Sequence, residues 1–159
     1  MIEYKRLSYR SAGGGLELFA RHYYGDGPPL LLMHGLTRNS ADFEPLAAHL
    51  AGRYQLIVPD QRGRGLSQSD PEPANYRPDI YAQDMFALLD GLGIERAGLI
   101  GTSMGGLMAM VMAAMKPEAV SAVVLNDVGP ELAPAGLSRI AGYVGPSEPF
   151  AGWEAAAAN

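Results

Sequence analysis

From Pro29 onward, short apolar runs alternate with longer stretches of helical period, and this rhythm constrains the fold more than any other feature of the chain. Leu30 to Met33, Tyr54 to Val58, Ala97 to Gly101 and Ala119 to Leu125 are apolar runs of strand length. Continuous apolar runs belong to strands covered on both faces, as parallel strands are. Ala119 to Leu125 is accordingly expected to be a buried strand. Between these runs, apolar residues recur every three or four positions. Ala41 to Ala51 places Phe43, Leu46, Ala47 and Leu50 on one face, with Asn39 or Ser40 as cap. Asp79 to Leu92 aligns Tyr81, Met85, Leu88, Leu89 and Leu92, and Met104 to Met115 stops before Pro117. Such alternation predicts an α/β fold with a mostly parallel sheet and, because crossovers are right-handed, helices on both faces. Upstream, Glu3 to Arg10 and Leu16 to Tyr24 flank a Gly-rich turn and predict a hairpin at a sheet edge.

Composition narrows the function classes. The 159 residues fit one domain, and 48% of them are hydrophobic, as in ordinary globular proteins. The net charge is -5 and the arginines are scattered singly, so neither nucleic acid nor an anionic membrane surface is an expected partner. With no cysteine, disulfides and thiolate metal sites are excluded, and no His or carboxylate spacing suggests another metal site or a cofactor. Glu3, Lys5, Arg6 and Arg10 interrupt the opening residues, leaving no secretory apolar core. No apolar run approaches the ~18 residues that would span a bilayer. A cytoplasmic location is expected.

The segment Gly101-Thr102-Ser103-Met104-Gly105 has the form G-x-S-x-G and sits between an apolar strand and a helix. A serine on so tight a turn is lifted clear of the sheet, and Gly101 and Gly105 remove side chains that would collide across it. The Met104 amide opens the helix, where N–H groups lack intrahelical acceptors and the dipole favours negative charge. Two more motifs stand at strand ends: His34-Gly35-Leu36, and Asp60-Gln61-Arg62-Gly63-Arg64-Gly65-Leu66-Ser67. Methionines at 104, 108, 112 and 115 have helical spacing and read as core packing.

These three motifs, in this order, resemble the α/β-hydrolase family over essentially the whole chain. The resemblance implies that Gly101–Gly105 is a nucleophile elbow with Ser103 as nucleophile. It implies an oxyanion hole formed by the backbone N–H groups of Leu36 and Met104, with Gly35 supporting the first turn. His34 then reads as a loop anchor rather than a base. Asp60 and Arg62 read as loop pins through charge-assisted hydrogen bonds. Arg38 and Asn39 lie beside the oxyanion loop. The family often has His where this chain has Arg64, a departure within a structural loop.

Family members complete a triad in the chain order Ser, acid, His. All three histidines here, His22, His34 and His49, precede Ser103. Asp127 follows the last strand, where some hydrolases carry the acid; we read it first as a loop or pocket-rim residue and second as that acid. Past Asn126 the prolines at 130, 134, 146 and 149 mark a change of character, with a short helix over Ala135 to Val144 and a helix start at Trp153 to Asn159. Residues 1–127 are thus expected to be the hydrolase core, truncated after the sixth strand, and 128–159 the incomplete start of a lid. The implied function is serine-dependent hydrolysis of a small ester, lactone or related carbonyl compound, with the His base outside the chain. Asp-nucleophile dehalogenases and epoxide hydrolases fit less well with Ser103. The competing reading is a non-catalytic fragment or interaction module whose open sheet edge self-associates or pairs with a missing C-terminal segment.

Overall fold

The computed structural model describes residues 2–129, 131, 134–143 and 154. β1 (Lys5–Arg10) and β2 (Glu17–Tyr23) form the expected hairpin, with Lys5 opposite His22 and Arg10 opposite Glu17. β3 (Pro29–Met33), β4 (Gln55–Pro59), β5 (Ala97–Thr102) and β6 (Val120–Asn126) continue the sheet. The six strands lie in the order β1-β2-β4-β3-β5-β6; the first two pairings are antiparallel and the rest parallel.

The period of two along each strand divides the core between two faces. On one face Leu31, Met33, Ile57 and Leu99 pack with α2 (Pro78–Gly91) and α3 (Met104–Met115). On the other, Leu32, Leu56 and Val58 meet Phe43 and Ala47, from a 3-10 turn (Ser40–Phe43) and α1 (Glu44–Leu50). Asn39 caps that turn, its Oδ1 accepting from Ala41 N at 2.9 Å. Helices therefore cover both faces, as the alternation predicts. Met104, Met108 and Met112 are buried, as expected of a core stripe.

Two side chains and one strand depart from expectation. Leu46 is 36% exposed, because a helix this short presents only a narrow stripe to the sheet and Leu46 lies on its flank. Met115 is exposed in the last turn of α3, past the packed part of that helix. The largest correction concerns β6. It was expected to be buried, yet every residue from Ser121 to Asn126 is exposed, Val124 by 54%. Among the described residues β6 is the last strand of the sheet and pairs with β5 alone, and α1 serves the β4–β3 side of its face. An edge strand with one neighbour leaves a row of backbone groups unpaired.

Residues Met1–Gly129 and Pro130–Asn159 form separate compact units. In the second, α4 (Pro134–Tyr143) matches the short helix expected there. Apart from Glu154, the helix start at Trp153 to Asn159 lies outside the described residues. Among the described residues no helix is long and apolar enough to cross a membrane.

Candidate active site

β5 ends at Thr102 and α3 begins at Met104, so Ser103 alone makes the turn between them. Its backbone sits at φ 52°, ψ −116°, which only strong surroundings hold in a non-glycine residue. Those surroundings are visible. Ser103 N donates to Asn126 O at 2.9 Å, and Ser103 O accepts from the amides of Gly106 and Leu107 at 2.8 and 3.2 Å. A Cβ at position 105 would stand 2.0 Å from Met33 O, and one at 101 would stand 2.3 Å from Gly105 O. Only hydrogens fit there, so the two glycines let the helix start press against the ends of β3 and β5. Ser103 makes no capping bond through its side chain. The amide of Met104 occupies the first helical position, which has no intrahelical acceptor.

The loop after β3 lies against this turn. A Cβ on Gly35 would be 3.6 Å from Ser103 Cβ and 3.7 Å from Thr102 O. Gly35 O accepts from Arg38 N at 3.3 Å, closing a β-turn, and from His34 Nδ1 at 2.8 Å. His34 is buried, and its Nε2 accepts from the Gln61 amide at 3.2 Å. Because a backbone N–H can only donate, the proton of the neutral ring is on Nδ1, and both nitrogens are engaged. Burial pushes the His34 pKa below its ordinary value. His34 is thus a neutral anchor with no free nitrogen to take a proton. It also sets a direction: in a planar trans peptide the Leu36 N–H points opposite to Gly35 O, which His34 and Arg38 hold.

The third motif braces the second. Asp60 Oδ1 accepts from Ser40 N at 2.6 Å and Oδ2 from Leu66 N at 2.8 Å. Ser67 Oγ donates to Asp60 O and accepts from Phe19 N, tying the loop to β2. Arg62 forks onto both oxygens of Asp84 at 2.8 Å and reaches Asp70 at 2.6 Å; Asp84 also accepts from Ala12 N. Sequence reasoning missed Asp84. Its signal was an acid on the apolar face of α2, three residues after Tyr81. The sequence pattern marks Arg64 only as a departure within a structural loop. Its guanidinium donates to Leu36 O at 3.1 Å, Arg62 O at 3.0 Å and Tyr81 Oη at 2.9 Å.

Asp127 follows β6 directly, is exposed and has φ 55°. Its chain neighbour Asn126 accepts the Ser103 amide, which places Asp127 on the same sheet edge as the serine. The other two histidines stand elsewhere. His22 lies within 3.0 Å of Gln55 at the start of β4, opposite the carboxyl ends that carry Ser103. His49 is in the last turn of α1, on the sheet face away from α3. Arg38 pairs with Asp42 at 2.6 Å on the exposed rim of the loop after β3.

A family model described as "alpha/beta hydrolase fold" matches residues 28–150. The chain belongs to the α/β-hydrolase family. It is 41% identical over 134 residues to a 3-hydroxybutyrate-oligomer hydrolase from Cupriavidus necator, matching 82% of this chain and 46% of that protein. It is 42% identical over 106 residues to a 2-(acetamidomethylene)succinate hydrolase from Mesorhizobium japonicum, 67% of this chain and 37% of that protein. A crystal structure of an α/β-hydrolase from Novosphingobium aromaticivorans superposes with a TM-score of 0.85 at 51% identity, covering 91% of this chain and 51% of that one. The chain therefore spans about half the length, or less, of the α/β-hydrolases it resembles.

Proposed function

We propose that this chain is the nucleophile-bearing part of a serine hydrolase acting on small esters, lactones or related carbonyl compounds. Ser103 Oγ attacks the carbonyl carbon, and the Leu36 and Met104 amides hold the resulting oxyanion. A histidine supplied by chain beyond Asn159 takes the hydroxyl proton and passes it to the leaving oxygen, which departs as the alcohol. Water, deprotonated by the same base, then cleaves the acyl-Ser103 ester, releases the acid and restores the serine. Asp127, at the carboxyl end of the strand beside Ser103, is our candidate for orienting that base.

The observation that carries this reading is Ser103 at φ 52° on a one-residue turn, with the Gly35 turn packed against it. The names of the two curated relatives, both hydrolases, agree with it. The test is turnover of a short-chain aryl ester by the chain extended through its downstream coding sequence. Ser103→Ala is expected to lower kcat by about a thousand-fold or more. Wild-type turnover in that variant rules the serine mechanism out.

A second reading rests on the exposure of β6. In it the chain has no catalysis of its own and serves as a module that pairs through this edge, with a second copy or with a C-terminal segment. Sedimentation of the chain alone and with that segment separates the two pairings.

A further inference from the structure

Gly35 to Arg38 is a β-turn, closed by the Arg38 amide on Gly35 O. Residue 36 is therefore flanked by two peptide planes. His34 and the Arg38 amide grip the first plane by Gly35 O. The second, between Leu36 and Thr37, is the central peptide of the turn, the one a β-turn can invert by changing only two dihedral angles. Its carbonyl oxygen receives the Arg64 Nε–H at 3.1 Å.

Arg64 is itself held on every side that the described residues supply. Nη1 donates to Arg62 O and to Tyr81 Oη. The guanidinium carbon lies 5.6 Å from the Tyr76 ring centroid and 5.2 Å from that of Tyr81. Tyr81 is buried in α2, so the clamp is fixed to the core. The loop bearing Arg64 is fixed too, by Asp60 on Leu66 and by Arg62 on Asp84. Among the described residues no carboxylate pairs with Arg64, although Arg21, Arg38 and Arg77 each have one and Arg62 has two. The acceptors it meets are two carbonyls and a phenol, an arrangement suited to holding backbone.

We infer that Arg64 is a positioning residue for the oxyanion hole: by holding Leu36 O it keeps the Gly35–Arg38 turn closed, so that the Arg38 amide stays on Gly35 O and the Leu36 N–H, anti to that oxygen, keeps its aim while charge develops on the substrate oxygen. The inference rests on the serine-hydrolase reading above. Once both planes flanking Leu36 are held, its two soft backbone angles have no freedom left. A donor that needs no reorganisation during the reaction is worth most in the transition state and little in ground-state binding. Lysine keeps the charge but loses the planar fork that contacts Leu36 O, Arg62 O and Tyr81 together.

Two measurements test this. In the extended chain, Arg64→Lys and Arg64→Gln are each expected to lower ester kcat about ten-fold, with KM within about two-fold of wild type. In the chain as it stands, both variants are expected to speed hydrogen exchange at the Arg38 amide about ten-fold, because the turn it closes loosens. Wild-type kcat in the Lys variant, or unchanged Arg38 exchange, overturns the inference; the first would mean that charge alone matters. Full turnover by Ser103→Ala sinks the serine reading instead, and Arg38 exchange still reports whether Arg64 holds the turn.

Discussion

The carboxyl ends of β3 and β4 and the edge strand β6 belong to one sheet, yet they are built in opposite ways. At β3 and β4, buried His34, Asp60 and Arg62 each have their polar atoms occupied, and neighbouring backbone is held through them. At β6 the strand is apolar in composition and exposed along nearly its whole length. One side of the candidate site is therefore finished by short-range hydrogen bonds. The other side has its candidate nucleophile, Ser103, tied to an edge that the described residues do not cover. Rigidity at this site comes from polar groups that are buried and paired, and the apolar edge adds little of it.

If that contrast is right, breaking the paired side should cost far more than altering the edge. The largest effect is expected for Asp84→Ala. It leaves Arg62 buried without its forked partner, a loss of about 3–5 kcal/mol in urea unfolding. A loss under about 1 kcal/mol would mean that the Arg62 network does not anchor the loop. Next comes Gly105→Ala. Its methyl group would meet Met33 O, and backbone cannot swing aside as a side chain can, so about 3 kcal/mol is expected by the same measurement.

The third prediction concerns pH. Burial depresses the His34 pKa in the folded chain, so below the ordinary value of 6.5 the unfolded state binds more protons. Stability is expected to be level above that pH and to fall as pH drops through and below it. His22, lowered by burial and by Lys5, adds a contribution of the same sign. Thermal melts from pH 8 to pH 5 should therefore show a shallower dependence in His34→Gln, with a remainder from His22. An unchanged slope would show that His34 is not buried in its neutral form. The smallest effect is expected at the edge: Val124→Thr should change unfolding free energy by less than about 0.5 kcal/mol. A loss of 2 kcal/mol there would mean that another surface covers β6 in solution.

Much of this architecture is legible in the residues. The expected strand Leu30–Met33 falls within β3 and the expected helix Met104–Met115 coincides with α3, because each is bounded by residues that end it locally, glycine after one and proline after the other. The elbow is legible for the same reason: its two glycines record close approaches within a few residues. What escaped was set by distant partners. Val120 to Leu125 has the composition of a buried strand, and composition does not say whether a strand has one neighbour or two. Asp84 and Arg64 act through residues 22 and 28 positions away, and no local period reports such a link. His34 was legible as an anchor; its tautomer required the Gln61 amide.

The central claim is that the hydroxyl of residue 103 is the group that attacks. A fluorophosphonate forms a covalent bond only with an activated nucleophile, and digestion followed by mass spectrometry finds where it sits. For the chain joined to its downstream segment, the adduct is expected on the peptide that holds Ser103, and Ser103→Ala should carry none. An adduct that persists in that variant, or that maps to another residue in the wild type, would contradict it.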